Sequence, residues 1–220
     1  MKKLESTLLN MVVVLVTVAV ITSGLLAWIN HITEEPIRMQ DELALANGIK
    51  EVMGTDQLTV TSDEEVNKEF EGKPLSFVVH KTADKQGKFL GAAVESTTMG
   101  FGGELKVLVG FDAEGKVLGY TILQAAETPG LGAKADKWFQ ADGKGSIIGK
   151  TAAQPLTVNK DGGDIDAITA STITSRAFLK AVNQAYAVYA GQDDSKNSDA
   201  QSGATAQTGK HHTNPEDTAK

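Results

Sequence analysis

Cysteine is absent from the 220-residue sequence. Its absence excludes disulfide bonds, iron–sulfur clusters ligated by cysteine and thiolate zinc sites. Histidine is scarce as well, because the chain has four, and His211 and His212 are neighbours in a polar stretch near the C-terminus. Such a pair does not form a metal-binding cluster. The sequence therefore offers no candidate metal ligands, and no catalytic residue is predicted.

Basic residues are in the minority. Lys and Arg number 21 against 28 Asp and Glu, which leaves a formal net charge of −7. Binding to nucleic acid generally requires a basic patch that neutralises phosphates. Nucleic acid is therefore not an expected partner.

Charged residues are missing from one long run near the N-terminus. Leu8 to Ile29 contains 22 residues without a charge, which is enough to cross about 30 Å of hydrocarbon as an α-helix. Trp28 lies at one end of the run, where indole rings favour the boundary with water. The run predicts a single transmembrane helix over residues 8–29.

The flanking charges predict how this helix is oriented. Lys2 and Lys3 precede it, whereas Glu34 and Glu35 follow it. Because basic flanks stay in the cytoplasm, residues 1–7 are expected there and the main domain is expected outside it. In a bacterial inner membrane this is the periplasmic or extracytoplasmic side. A cleaved signal peptide is the alternative. It is disfavoured by the length of the apolar run and by the lack of a small-x-small cleavage site after it.

Further along the chain, the pattern predicts an α+β domain over residues 30–190. Two β-hairpins are indicated by apolar-rich runs around turn signals, and two helices by apolar positions that recur with helical spacing. The first predicted hairpin pairs Ser76–Lys81 with Phe89–Glu95, and the second pairs Glu104–Phe111 with Val117–Leu123. The predicted helices are Asp41–Val52, which stops at Gly54, and Ile173–Ala190. We therefore expect an antiparallel sheet packed with helices.

The composition changes after Gly191. Small and polar residues dominate residues 191–220, and no large apolar residue occurs there. Such a stretch cannot bury enough apolar surface to offset the entropy of ordering. We expect residues 191–220 to form a disordered tail.

A hydroxyl-rich segment precedes the last predicted helix. Asp166 to Arg176 reads Asp-Ala-Ile-Thr-Ala-Ser-Thr-Ile-Thr-Ser-Arg. Hydroxyls and free backbone N–H groups at a helix N-terminus suit a phosphate. The alternative is an ordinary helix cap, with Ser171 or Thr172 as the capping residue and the other hydroxyls in water. Arg176 is either a counter-charge for an anion or a solvated side chain.

Two glycine-rich segments lie upstream. Ala126 to Gly132 contains Pro129-Gly130, a tight-turn signal, and a glycine that allows backbone to approach a partner closely. Thr98 to Gly103 contains three glycines around Phe101. Taken alone, each segment is equally compatible with a turn or flexible loop beside a strand.

The hydroxyl-rich segment resembles the flavinylation motif Asp-x-x-(Ser/Thr)-Gly-Ala-(Thr/Ser)-x-Thr. The matching positions are Asp166, Thr169, Thr172 and Thr174. The resemblance implies that Thr174 carries FMN through a phosphoester. Two positions depart from the motif, because Ala170 stands where glycine is usual and Ser171 where alanine is usual. Alanine is unfavourable at this position if the backbone there has a positive φ.

The upstream segments resemble loops of the same FMN-binding domains. The Glu-Thr-Pro-Gly-Leu-Gly loop of that family is matched here in full, and Phe101 corresponds to an aromatic residue between glycines. The resemblance implies that Phe101 packs near the flavin and that the loop contributes to cofactor binding through Glu127, Thr128, Gly130, Leu131 and Gly132.

Apart from the tail, nearly the whole layout resembles the G subunits of the Rnf (Rsx) complexes. The resemblance implies a membrane-anchored electron carrier in a complex that moves electrons between ferredoxin and NAD and couples this transfer to ion transport. It also implies membrane and iron–sulfur subunits as partners and a flavin transferase that attaches FMN from FAD. The C subunit of the sodium-translocating NADH:quinone reductase is the nearest alternative, with the same attachment site. A non-redox assembly or receptor module with this fold is an alternative of another class.

Overall fold

A computed structural model describes residues 8–202, with side chains described as far as Gly191. It contains three α-helices and five β-strands in this part of the chain. In chain order they are α1 (Leu8–Met53), β1 (Thr59–Phe70), β2 (Lys73–Ala83), β3 (Phe89–Met99), β4 (Glu104–Asp112), β5 (Val117–Ala125), α2 (Ala135–Trp138) and α3 (Thr172–Ser202).

The five strands form one antiparallel sheet in the order β1-β2-β3-β4-β5. Asp84 and Asp112 stabilise the turns of the two predicted hairpins, because each carboxylate accepts two backbone N–H groups from the residues that follow. Both hairpins and the α+β class are confirmed. Strand β1 was not predicted, since its sequence is rich in charged residues, which are depleted in strands. It lies at the edge of the sheet, where charged side chains protect against pairing with other chains.

Helix α3 covers one face of the sheet and the last turns of α1 cover the other. Aromatic and aliphatic side chains of the strands pack against Phe178 and Val182 of α3 in the main core. A smaller core joins Ile49 and Val52 of α1 to Leu108 of β4. Both helices are therefore anchored on the same sheet.

Helix α1 is longer than the sequence pattern indicated. The predicted transmembrane helix and the predicted helix Asp41–Val52 are parts of one continuous helix of 46 residues, and Pro36 lies inside it. The expected stop is confirmed, because Gly54 follows the helix with a φ of 65°, a conformation that glycine adopts without strain. Among the described residues, α1 contains the one segment apolar enough to cross a membrane.

Helix α3 begins at Thr172, one residue before the predicted start, and continues to Ser202, past the predicted end at Ala190. The expected tail therefore begins as helix for residues 191–202. Residues 203–220, which complete the predicted tail, and the predicted cytoplasmic residues 1–7 lie outside the described part of the chain.

Candidate functional site

Three separate segments converge on a cleft at the N-terminus of α3. They are the loop after β3, the loop after β5 and the first turn of α3 with the residues before it. The cleft has a volume of about 400 Å³ and is lined by Phe101, Glu127, Thr128, Leu131, Gly132, Ala170, Ser171, Thr172, Ile173 and Thr174. We refer to it as the Thr174 cleft. Its volume is within the range of roughly 300–1,000 Å³ that is usual for small-molecule sites.

A hydrogen bond between Thr174 and Glu127 joins α3 to the loop after β5. The Thr174 Oγ1 hydroxyl donates to Glu127 Oε2 at 3.0 Å, although the two residues are 47 positions apart in the sequence. The other carboxylate oxygen, Glu127 Oε1, accepts the backbone N–H of Phe101 at 2.8 Å. Glu127 therefore links all three segments of the cleft. Thr174 is only 1% exposed, so its hydroxyl is held in one place.

Two glycines make room for this carboxylate. A Cβ on Gly132 would lie 2.2 Å from Glu127 Oε2 and 2.8 Å from Thr174 Oγ1. A Cβ on Gly100 would lie 2.1 Å from Glu127 Oε1. Real Cβ atoms do not approach other atoms so closely, so a larger residue at either position would have to displace the Glu127 carboxylate.

The first turn of α3 presents backbone donors to the cleft. The backbone N–H of Ser175 donates to the Ser171 carbonyl at 3.0 Å, which is the first bond of the helical series. The N–H groups of Thr172, Ile173 and Thr174 precede this bond and have no carbonyl one turn earlier within the helix. All three residues line the cleft. The arrangement provides the positive end of a helix dipole and several donors for an anion.

Ala170 has a φ of 63°. The residue directly precedes Ser171, and the left-handed conformation lets the chain turn from the 166–169 segment into α3. Glycine adopts such a φ freely, whereas alanine is strained. The position where the related motif has glycine is therefore one where the backbone favours glycine, and this chain has a strained alanine there.

The structure brings together only part of the predicted site. Thr174, Thr172, Glu127, Thr128, Leu131 and Gly132 line the cleft, as does Phe101, whereas Asp166, Thr169 and Gly130 do not. Asp166 instead ties two loops together, because its Oδ1 accepts from Asn159 Nδ2 at 2.7 Å and its carbonyl oxygen accepts from Trp138 Nε1 at 2.7 Å. Thr169 is exposed. Gly130 has a φ of 79°, which shapes the Pro129-Gly130 turn.

Lys160, and not Arg176, is the cation beside the hydroxyl segment. Arg176 makes two hydrogen bonds to the carboxylate of Asp161, at 2.7 and 2.6 Å, and lines a different cleft. This hydrogen-bonded pairing lowers the pKa of Asp161 and raises that of Arg176. The counter-charge interpretation of Arg176 is therefore wrong. Lys160 Nζ donates to Thr172 Oγ1 at 3.1 Å. Sequence reasoning missed Lys160, since no local pattern marks a lysine in a loop twelve residues upstream.

The lining suits FMN. A hydroxyl, the backbone donors of a helix N-terminus and a nearby lysine serve a phosphate. Leu131, Ile173 and Phe101 supply exposed apolar surface beside it, being 42%, 52% and 70% exposed. A flat aromatic ring system needs both small residues and apolar side chains of this kind.

Comparisons with known proteins agree with this chemistry. The model of the FMN-binding domain family matches residues 100–187, which include every segment of the cleft. The G subunit of the ion-translocating oxidoreductase complex of Vibrio parahaemolyticus is 33% identical over 181 residues, which are 73% of this chain and 79% of the relative. The corresponding protein from Shewanella baltica is 33% identical over 76% of this chain and 82% of the relative.

A third relative extends the comparison. The G subunit of the Na(+)-translocating ferredoxin:NAD(+) oxidoreductase complex of Acetobacterium woodii is 38% identical over 53% of this chain and 58% of the relative. The resemblance noted in the sequence is confirmed by these relatives. The chain belongs to the family formed by the G subunits of ion-translocating oxidoreductase complexes.

Proposed function

We propose that this chain is the membrane-anchored flavoprotein subunit of such a complex and relays electrons between ferredoxin and NAD, coupled to ion transport across the membrane. The observation that carries the proposal is the hydrogen bond from Thr174 to Glu127 in a cleft at the N-terminus of α3. A buried hydroxyl, free helix donors and apolar walls in one cleft suit a flavin phosphate better than an ordinary helix cap. When bound, FMN supplies the one- and two-electron chemistry of an electron carrier.

Each group of lining residues has a separate task in holding FMN. The N–H groups of the first turn of α3 and Lys160 stabilise the phosphate charge. Leu131 and Ile173 offer apolar contacts, and Phe101 offers an aromatic face. Gly132 keeps the backbone close to the Thr174 hydroxyl.

Thr174 is the proposed point of covalent attachment, through a phosphoester between its Oγ1 and the FMN phosphate. A tether fixes the position of the redox group, and electron transfer depends on a fixed separation between donor and acceptor. It also prevents loss of the cofactor outside the cytoplasm. A flavin transferase that uses FAD is the proposed source of the FMN.

The proposed location is the bacterial inner membrane, with the N-terminus in the cytoplasm and the FMN-binding domain in the periplasm. The exposed apolar run of α1 supports the anchor. Lys2 and Lys3 on one side and Glu34 and Glu35 on the other support the orientation. Membrane subunits and iron–sulfur subunits of the complex are the proposed partners.

Replacement of single hydroxyls tests this function. The full chain is co-expressed with the flavin transferase, resolved on a denaturing gel and viewed under ultraviolet light. We expect Thr174→Ala to abolish the fluorescent band and the matched variant Thr172→Ala to retain most of it. Peptide mass spectrometry identifies the modified residue. A wild-type chain without covalent flavin would contradict the proposal, and FMN on Thr172 would contradict the choice of residue.

A further inference from the structure

Glu127 occupies the position of a base beside the Thr174 hydroxyl. Its Oε2 atom accepts the only hydrogen that Thr174 Oγ1 can donate, at 3.0 Å. That separation is within the reach required of a general base. We infer that Glu127 takes this proton when FMN is attached, so that the chain supplies the catalytic base for its own modification. This inference rests on the proposed function.

The other hydroxyls of the segment are engaged differently. Thr172 Oγ1 accepts from Lys160 Nζ at 3.1 Å, and an ammonium group does not remove a proton from a hydroxyl at neutral pH. Ser175 Oγ donates to the Ser171 carbonyl at 3.0 Å and accepts the backbone N–H of Ile168 at 2.9 Å. Both atoms of its hydroxyl are therefore used within the fold. Of these three, Thr174 alone has its proton directed at a carboxylate.

The Glu127 carboxylate is positioned in advance. Its Oε1 atom is fixed by the Phe101 N–H at 2.8 Å, which leaves Oε2 to face Thr174. The missing side chains of Gly100 and Gly132 provide the space in which it lies. A base held in this way needs no reorganisation before proton transfer.

The chemical step balances without any oxidant or reductant. Thr174 Oγ1 attacks the phosphorus on the riboflavin side of FAD, and a new O–P bond forms. The bond from that phosphorus to the bridging oxygen breaks, and AMP leaves with the oxygen. The hydroxyl proton passes to the Glu127 carboxylate and then to water, which a half-buried side chain can reach.

The test measures covalent incorporation and not electron transfer. The full-length chain in detergent is mixed with purified flavin transferase and FAD, and intact mass spectrometry follows the rate. We expect Glu127→Gln, which retains an oxygen for the Phe101 N–H, to slow modification of Thr174 by roughly 100-fold or more. The matched control is Glu114→Gln, an exposed glutamate in the turn after β4, which should react at the wild-type rate.

Chemical rescue separates a base from a structural residue. Glu127→Ala opens space where added formate can bind, and we expect formate to raise its rate at least tenfold without changing the wild-type rate. Thermal unfolding of each variant establishes that it is folded. Modification of Glu127→Gln at a rate within threefold of wild type, or a folded Glu127→Ala that formate does not rescue, would overturn the inference. Failure of the wild-type chain to take up FMN would instead overturn the proposed function itself.

Discussion

At the scale of single residues, Ala170 is where the chain departs from its family motif at a backbone cost. It is one of two non-glycine residues with positive φ among residues 8–202, and the other is Glu71. The left-handed conformation costs an L-residue about 1–2 kcal/mol. The strain is located directly before the turn of α3 that lines the Thr174 cleft.

Ala170→Gly should therefore stabilise the chain. The relief of strain exceeds the extra chain entropy that glycine loses on folding, and we expect a gain of about 0.5–1 kcal/mol in the free energy of unfolding. Denaturant unfolding of the full chain in detergent measures it. Ala141→Gly is the matched control, because Ala141 is an exposed turn residue without positive φ. It should not stabilise, and equal gains in both variants would contradict the strain argument.

The two glycines of the loop after β5 have different roles. Gly130 has a positive φ and open space around it, whereas a Cβ on Gly132 would collide with Glu127 and Thr174. We expect Gly130→Ala to cost about 1 kcal/mol of stability through backbone strain while Thr174 is still modified. Gly132→Ala should displace Glu127 and reduce covalent flavin severely. Mass spectrometry after co-expression compares them, and equal flavin content would show that Gly132 is not required for space.

At the scale of elements, a charge network centred on the buried side chains of His80 and Glu95 joins four strands on the α1-facing side of the sheet. His80 of β2 contacts Asp63 Oδ1 of β1 through Nδ1 at 2.7 Å, and Glu95 Oε1 of β3 through Nε2 at 2.9 Å. Glu95 also pairs with Lys106 of β4. An imidazole can donate to two carboxylates only when both of its nitrogens carry protons. The geometry therefore favours the charged form of His80.

The net effect on the pKa of His80 is upward. Burial opposes the charge and is the largest single influence, but the hydrogen bonds and charges of Glu95 and Asp63 together outweigh it. Because the folded pKa is raised above 6.5, the stability gained from this proton is complete below pH 6.5 and is lost as the pH rises through the folded value. The pKa of Glu95 is lowered against the influence of burial, by His80 and Lys106, so its contribution is lost only at acidic pH.

Stability should therefore decline on the alkaline side. We expect the wild-type chain to lose on the order of 1 kcal/mol between pH 6 and pH 9 through His80, and His80→Gln to lose much less over this range. Denaturant unfolding followed by tryptophan fluorescence provides the measurement. The matched control is His31→Gln, since His31 is exposed on α1 and its variant should retain the wild-type pH dependence. A His80→Gln profile parallel to wild type would contradict the assignment.

At the scale of the whole molecule, α1 is both anchor and spacer. Its 46 residues correspond to a length of about 69 Å at 1.5 Å per residue. Residues 30–47 continue the helix beyond the apolar run, and all of them except Leu45 are exposed. Contact with the sheet is concentrated in the last turns, where Val52 lies against Gly110 and Gly119 of β4 and β5. Arg38, Asp41 and Leu45 of α1 already line a groove with Glu95 and Lys106 of the sheet. The helix between the apolar run and this groove is therefore residues 30–37, a length of about 12 Å.

The proposed orientation predicts which side of the membrane is open to protease. Protease added to intact spheroplasts should digest the FMN-binding domain, because the proposed orientation places the domain outside the cytoplasm. Immunoblotting against the domain measures the loss, and a cytoplasmic protein in the same sample serves as the control for intact cells. Protection of the domain until the cells are lysed would reverse the topology.

Much of this architecture follows from local patterns. An uncharged run long enough for a membrane, hairpins around Asp84 and Asp112 and a helix after the hydroxyl-rich segment each depend on neighbouring residues. Their energetics are set by side-chain polarity and turn chemistry within a few positions. The motif match also selects Thr174 by position alone. The continuity of α1 was not predicted, because the apolar run and the helical spacing of Asp41–Val52 are separate patterns with Pro36 between them.

The sequence by itself determined the two hairpins, the membrane run, the helix after the hydroxyl-rich segment and the set of candidate hydroxyls. Only the tertiary structure decided which of them meet. The fold brings Glu127 to Thr174 although 47 positions separate them in the sequence. It pairs Arg176 with Asp161, and it places Asp166 where its hydrogen bonds connect two loops. Such contacts depend on how β5 and α3 pack on a common core. No pattern of neighbouring residues determines how close the loop after β5 lies to the start of α3. The same packing explains why Gly132 matters. Its missing side chain makes room for the Glu127 carboxylate only when the loop after β5 lies against α3.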